Sequence, residues 1–277
     1  MITQAFHYSR PSSLDEALKL LAEGGKPLAG GMSLVPMMKL RLAAPEHLVD
    51  LGRIGDLASI REEGGKIHIG AMTTHYAIES SSLLAAKCPL LVKAAAHIGD
   101  VQVRNLGTIG GSIAHADPAA DWPASLLALE ATVTIASAGG TREMAIEDFL
   151  VDTFTTALEP GELLTEIVVN ADPVGSGCAY EKMMQPASGF AIVGAAAHVV
   201  KSGGKVTKCR IGITGVSGKA FRAKAAEAAI EAGKTPAEAV KGLAADVDAN
   251  SDIHASADYR KAMAEVYARR ALESALA

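Results

Sequence analysis

Two short glycine segments far apart in the chain, Ala29-Gly30-Gly31-Met32-Ser33-Leu34 and Thr108-Ile109-Gly110-Gly111-Ser112, constrain this sequence more than any other feature. The first follows a predicted strand over 26–29 and precedes a predicted helix over 33–42. Glycine in that position lets backbone approach a ligand, and the free amides of a helix start favour a phosphate. The same pair also suits a plain tight connection between strand and helix. The spacing is not Gly-x-Gly-x-x-Gly, and no acid stands where a Rossmann ribose site needs one.

The second segment lies inside a longer polar stretch, Arg104 to Asp121, which adds the hydroxyls of Thr108 and Ser112 and the carboxylates of Asp117 and Asp121. Amides and hydroxyls can donate to a pyrophosphate, while acids accept from ribose hydroxyls. A dinucleotide needs both. The competing reading is a polar loop capping a helix that begins near Pro123, with Asp121 as its N-cap.

Around these segments the pattern is α+β. A helix is predicted from Leu14, capped by Ser12 or Ser13 and ended by Gly24-Gly25. The strand over 26–29, the helix over 33–42 and a strand over 46–51 follow it as a compact βαβ unit. Beyond Gly64 short β-like runs alternate with alanine-rich helical pieces, one of them over 90–98. Ala131 to Ala136 followed by Gly139-Gly140 predicts a strand entering a hairpin. Asn170 to Gly177 is rich in turn residues and divides the chain into 1–174, with parts of about 1–53 and 54–174, and 175–277. The second part carries strands over 191–200 and 205–214, then helices, the most regular over 259–275.

Composition removes several function classes. A net charge of −5 offers no basic face for phosphate backbones, which excludes nucleic acid as an electrostatic partner. Three scattered cysteines, Cys88, Cys178 and Cys209, supply neither a zinc site nor a disulfide framework and point to a reducing cytoplasm. No apolar run is long enough to enter a membrane directly, so membrane association must come through a partner. Among the histidines, His97 reads as a packed residue of an apolar helix. His75 and His115 flank the glycine segments and face either a cofactor or a neighbouring subunit.

Taken together, Ala29-Gly30-Gly31-Met32-Ser33 and Thr108-Ile109-Gly110-Gly111-Ser112 resemble the paired FAD-binding signatures of the medium subunit of the carbon monoxide dehydrogenase and xanthine dehydrogenase family of molybdenum hydroxylases. The likeness continues through Leu40 to Leu51, Ile69 to His75, Glu159 to Leu164 and Tyr180-Glu181-Lys182, and so covers nearly the whole chain. Met32 stands where the family often has histidine, and Ser112 where it often has asparagine. Each departure removes the side chain that the family often places near the expected pyrophosphate, a site that backbone amides can still supply.

The resemblance implies a two-part FAD-binding domain followed by a C-terminal domain of antiparallel sheet with helices. It implies that residues 29–33 and 108–112 wrap the pyrophosphate, with Leu34 and Asp117 beside them, and that Asp121 holds the ribityl or ribose region. Tyr180 and Lys182 are expected near the isoalloxazine, with Leu164 among the apolar contacts. It further implies a complex: a large molybdenum-containing subunit oxidises the substrate, a small iron-sulfur subunit relays electrons, and FAD passes them to quinone or NAD. A dimer of heterotrimers is the expected assembly. Molybdopterin and iron-sulfur clusters belong to the partners, since three cysteines cannot ligate a cluster, which also weighs against the benzoyl-CoA reductase branch. The alternatives are a related aldehyde, xanthine or N-heterocycle hydroxylase, an assembly subunit that has lost FAD, and a free-standing flavin oxidase or reductase.

Overall fold

The computed structural model describes residues 2–277. The N-terminal sheet has three parallel strands, with His47–Asp50 between His7–Ser9 and Lys26–Leu28. The helix Leu14–Ala22 lies over it, capped by Ser13, whose side chain accepts from the amide of Glu16. Its apolar face buries Ala17, Leu18 and Leu21 against Val49 and Leu51. The crossover between the parallel neighbours Lys26–Leu28 and His47–Asp50 runs through the helix Leu34–Lys39, while Leu14–Ala22 links the two outer strands. The predicted βαβ unit is present, with the strand His7–Ser9 added. The predicted helix over 33–42 is shorter, Leu34–Lys39, because Arg41 adopts φ 60° and turns the chain away.

The middle of the chain forms a five-stranded antiparallel sheet in the order Ile60–Glu63, Lys66–Gly70, Leu163–Asn170, Thr132–Ser137, Gly140–Ala145. The hairpin at 137–140 falls where Gly139-Gly140 predicts it. Six helices between Lys66–Gly70 and Thr132–Ser137 share one core with this sheet. Ile67, Ile69, Ile109, Ile113, Trp122, Phe149 and Ile167 form the centre of that core, each fully buried. Burial of such side chains contributes about 1.5–3 kcal/mol apiece.

The C-terminal sheet is also antiparallel: Ser176–Met184, Ala191–Ser202, Lys205–Thr214 and Phe221–Arg222. Ala191 to Val199 are all buried, and strand alternation explains why. Ala196 joins the central core on one face, while Ala195, Ala197 and Val199 meet the helix Ala257–Leu276 on the other. That helix presents Ala264, Ala268, Ala271 and Ala275, a small-residue stripe that lets it lie close. On the inner face Gly212 approaches the carbonyl of Ala124 so closely that a Cβ would stand 2.0 Å from it. The middle and C-terminal sheets are separated by the turn-rich segment 171–175. No helix of the described residues is long and apolar enough to cross a membrane.

Candidate functional site

The two glycine segments touch. A Cβ on Gly30 would lie 2.0 Å from the carbonyl oxygen of Leu106 and 2.8 Å from the Cα of Gly107, and Ala29 approaches Gly111 on the same side. No residue with a side chain fits at position 30 without forcing backbone apart. The parallel N-terminal sheet delivers one segment and the helical cluster of the middle sheet delivers the other. Their contact makes one continuous backbone surface.

The two halves do different work. The amides of Gly30, Gly31, Met32, Ser33 and Leu34 donate to no acceptor among the described residues; only later amides such as Val35 and Met37 return to Gly31 and Ser33. This arc of unpaired donors, turned by the positive φ of Gly31, suits an anion. The second segment is not the open loop that its glycines predict. It is built of two short helices, Val101–Leu106 and Ile109–His115. Its amides are committed: Ile109 donates to Thr73 O, Gly110 to Ala71 O, Ser112 to Thr108 O, and Gly111 to the Thr108 hydroxyl at 3.1 Å. The free amides are thus those of the first segment, while the second holds its amides within the protein. The second is a wall whose shape is fixed by Gly110, where a Cβ would strike Ala71 at 2.4 Å. Ser112 is half-buried beside it, and Met32 lies exposed at the rim.

Asp121 is not an N-cap. The helix Asp121–Ala128 is capped by Ala120 with no side-chain bond, and the Asp121 side chain turns inward. One carboxylate oxygen accepts from the Tyr180 hydroxyl at 2.5 Å and the other from Lys182 Nζ at 2.9 Å. Lys182 also donates to the carbonyl of His97 at 2.9 Å. Burial pushes the Asp121 carboxyl up, with Lys182 and Tyr180 opposing, and burial beside Asp121 pushes the Tyr180 hydroxyl well up. Three residues singled out in the sequence thus form one internal cluster across the two domains. Leu164 is buried on Leu163–Asn170, paired with Ile135 and next to a bulge at Thr165, whose carbonyl holds the amide of Ala71.

Asp117 accepts from the amide of Ala119 at 2.8 Å and borders a cavity of about 300 Å³ between the domains. Phe190, Asp252 and Arg260 line its far side, none of them marked by a motif. Arg260 is buried and donates to the carbonyls of Ile192 and Gly215 and to Asp252.

The histidines exchange the places that the sequence predicts. His97 is exposed, beyond the end of its helix, with its ring edge on Tyr180. His75 is the buried one, 4% exposed, and so does not face a neighbouring subunit. Burial, with the Arg104 charge adding to it, lowers its pKa to about 4, so the ring is neutral near pH 7. His115 is half-buried against Phe154. Among the described residues no group of three or more histidine, cysteine or acidic side chains is placed to hold a metal.

Residues 4–171 match the FAD binding domain in molybdopterin dehydrogenase, and residues 178–275 match the CO dehydrogenase flavoprotein C-terminal domain. The carbon monoxide dehydrogenase medium chain of Afipia carboxidovorans is 42% identical over 290 residues, covering 100% of this chain and 99% of that one. The glyceraldehyde dehydrogenase medium chain of Sulfolobus acidocaldarius is 37% identical, covering 99% of each. Among solved structures, carbon monoxide dehydrogenase from Hydrogenophaga pseudoflava superimposes with a TM-score of 0.95 at 45% identity, covering 99% of this chain and 98% of that one. With both domains matched and the likeness running end to end, the chain belongs to the FAD-binding medium-subunit family of carbon monoxide dehydrogenases and related molybdenum hydroxylases, as an oxidoreductase subunit.

Proposed function

We propose that the chain is the electron-transfer subunit of a molybdenum hydroxylase complex. It takes electrons from iron-sulfur clusters of a small partner subunit, fed by a large molybdenum-containing subunit, and passes them to an external acceptor, quinone or NAD. FAD, when bound, supplies the exchange between single-electron and two-electron chemistry. The observation that carries this reading is the closed contact between Gly30 and Leu106, which joins five unpaired amides to a rigid wall. A cradle whose glycines admit no side chain fits a dinucleotide lying across it.

In this reading residues 29–34 hold the pyrophosphate, and 108–112 form the surface on which it rests. Asp117 and Leu164 bound the slot. Lys182 brings a positive charge that favours negative charge on a reduced flavin, while Asp121 fixes Lys182 and Tyr180 in place. The boundary between 1–174 and 175–277 is supported by the break between the two sheets. A dimer of heterotrimers is the proposed assembly, and any membrane attachment comes through its partners.

Carbon monoxide is the proposed substrate of the complex, on the strength of the carbon monoxide dehydrogenase relatives. Yet the 6-hydroxypseudooxynicotine dehydrogenase subunit of Paenarthrobacter nicotinovorans matches over 98% of this chain at 39% identity. Medium chains of complexes with different named activities are alike along their whole length. Substrate choice therefore lies in another subunit, and an aldehyde or N-heterocycle hydroxylase is the second reading.

The test is the absorption spectrum of the complex purified with its neighbouring subunits, before and after anaerobic carbon monoxide. Bleaching of the flavin band supports subunit and substrate together. A flavin that stays oxidised moves the substrate to aldehydes or heterocycles. A complex with no flavin refutes the reading and leaves an assembly role.

A further inference from the structure

The wall formed by residues 107–112 is held from behind by a side chain that no cofactor signature contains. The segment Ala71–His75 runs along Gly107–Gly110 as a short antiparallel ladder. His75 N donates to Gly107 O at 2.9 Å, Ile109 N to Thr73 O at 3.0 Å, and Gly110 N to Ala71 O at 2.9 Å, with Thr74 and Thr108 bridged between them. The His75 ring sits directly behind Gly107, where a Cβ would stand 2.7 Å from Nε2. On its other edge, Nδ1 accepts the indole N–H of Trp122 at 3.1 Å, a buried bond between elements otherwise far apart in sequence.

The rings lie 5.8 Å apart, tilted at 46°. Accepting at Nδ1 requires the neutral ring to carry its proton on Nε2, which fixes the tautomer. Trp122 is itself fully buried in the central core. The order of contact is therefore Trp122, His75, Gly107, Gly30: core, buffer, wall and donor arc.

We infer that His75 is a positioning residue for the cofactor, holding the second glycine segment at the height where it meets Gly30, with Trp122 fixing the angle of its ring. The inference rests on the FAD reading above. Neither residue need touch the flavin. Loss of the bond lets the ring turn, and Gly107, which the ring backs together with the Val103 carbonyl, shifts with it.

The test uses His75→Leu and Trp122→Phe, singly and together, with His75→Asn as the conservative variant. Asparagine keeps an acceptor oxygen near the position of Nδ1, whereas leucine has a similar size and no acceptor. FAD dissociation is measured on the complex purified with its partner subunits. Trp122 is the only tryptophan of the chain, so indole emission of the full chain reports the hydrogen bond directly.

His75→Leu and Trp122→Phe are each expected to weaken FAD binding about tenfold, the size of one lost hydrogen bond. The double variant is expected to lose no more than either single one, and His75→Asn to keep both affinity and indole emission near wild type. Unchanged FAD affinity in folded His75→Leu, or losses that add in the double variant, would overturn the inference and leave the FAD reading standing. Should His75→Leu not fold, unchanged affinity in Trp122→Phe overturns the inference in the same way. A wild-type complex that takes up no FAD overturns both readings together.

Discussion

Asp121 and Lys182 form an ion pair inside the protein, 2.8 Å apart, with side chains 5% and 1% exposed. One stands on the first helical position of Asp121–Ala128 and the other on the strand Ser176–Met184, so the pair spans the two domains. Removing one member strands the other charge. Asp121→Asn or Lys182→Met is expected to lose about 3–5 kcal/mol, read from chemical denaturation. The double variant should lose less than the two single losses combined, because it leaves no orphan charge; losses that simply add would show that the two groups do not interact.

A methyl group at Gly30 has nowhere to go, since it would sit 2.0 Å from the carbonyl oxygen of Leu106. Gly30→Ala is therefore expected to part the two glycine segments and weaken FAD binding at least about tenfold, which corresponds to about 1.4 kcal/mol. Gly55→Ala is the control, because nothing lies within 4 Å of a Cβ there. It should change stability by no more than about 0.5 kcal/mol and leave flavin content alone. Equal flavin content in both variants would count against the cradle.

Glu130 gathers three cations: Lys208, Arg210 and Arg222. Burial pushes its carboxyl up, but hydrogen bonds from Lys208 and Arg210 outweigh this and hold the pKa at about 2, against an ordinary 4.5. A depressed carboxylate stabilises the fold above its unfolded pKa. That contribution is lost as pH falls from about 4.5 to about 2. Solvent reaches part of the cluster, so the expected loss in Glu130→Gln at pH 7 is about 1–2 kcal/mol. The stability of the variant should also fall less than wild type across that pH window in denaturant titrations.

Ala116 closes the helix Ile109–His115 in the left-handed region, φ 50° and ψ 42°, where glycine carries no Cβ penalty. Ala116→Gly relieves about 1–2 kcal/mol of left-handed strain, less what its buried methyl contributes to the core, and should raise Tm in a thermal melt. A lower Tm would mean that the methyl contact outweighs the strain.

Much of this fold is legible in the residues because local chemistry and tertiary structure agree. Ser13 caps the helix it precedes, Gly139-Gly140 turns the hairpin, and the long C-terminal helix covers the expected span, Ala257–Leu276. The strand His7–Ser9 escapes notice because three residues carry no readable period. The glycines at 110 and 111 argue against a helix by propensity, yet the segment is helical because Gly110 must lie on Ala71 and only a residue without a side chain can. Asp121 has the composition of a cap, but Lys182 and Tyr180, distant in sequence, draw it inward. His75 and His97 trade places for a related reason: apolar neighbours suggest burial, while the buried one is decided by a tryptophan on another helix.

The contact between Gly30 and Leu106 also bears on the order in which this chain matures. Its two sides come from the N-terminal sheet unit and from the helices attached to the middle sheet, and neither alone has a dinucleotide cradle. Joining partners so distant along the chain costs loop entropy that only finished packing repays. Flavin uptake therefore waits for docking of the N-terminal sheet onto the helical layer. The coloured cofactor thus reports that this long-range docking has taken place.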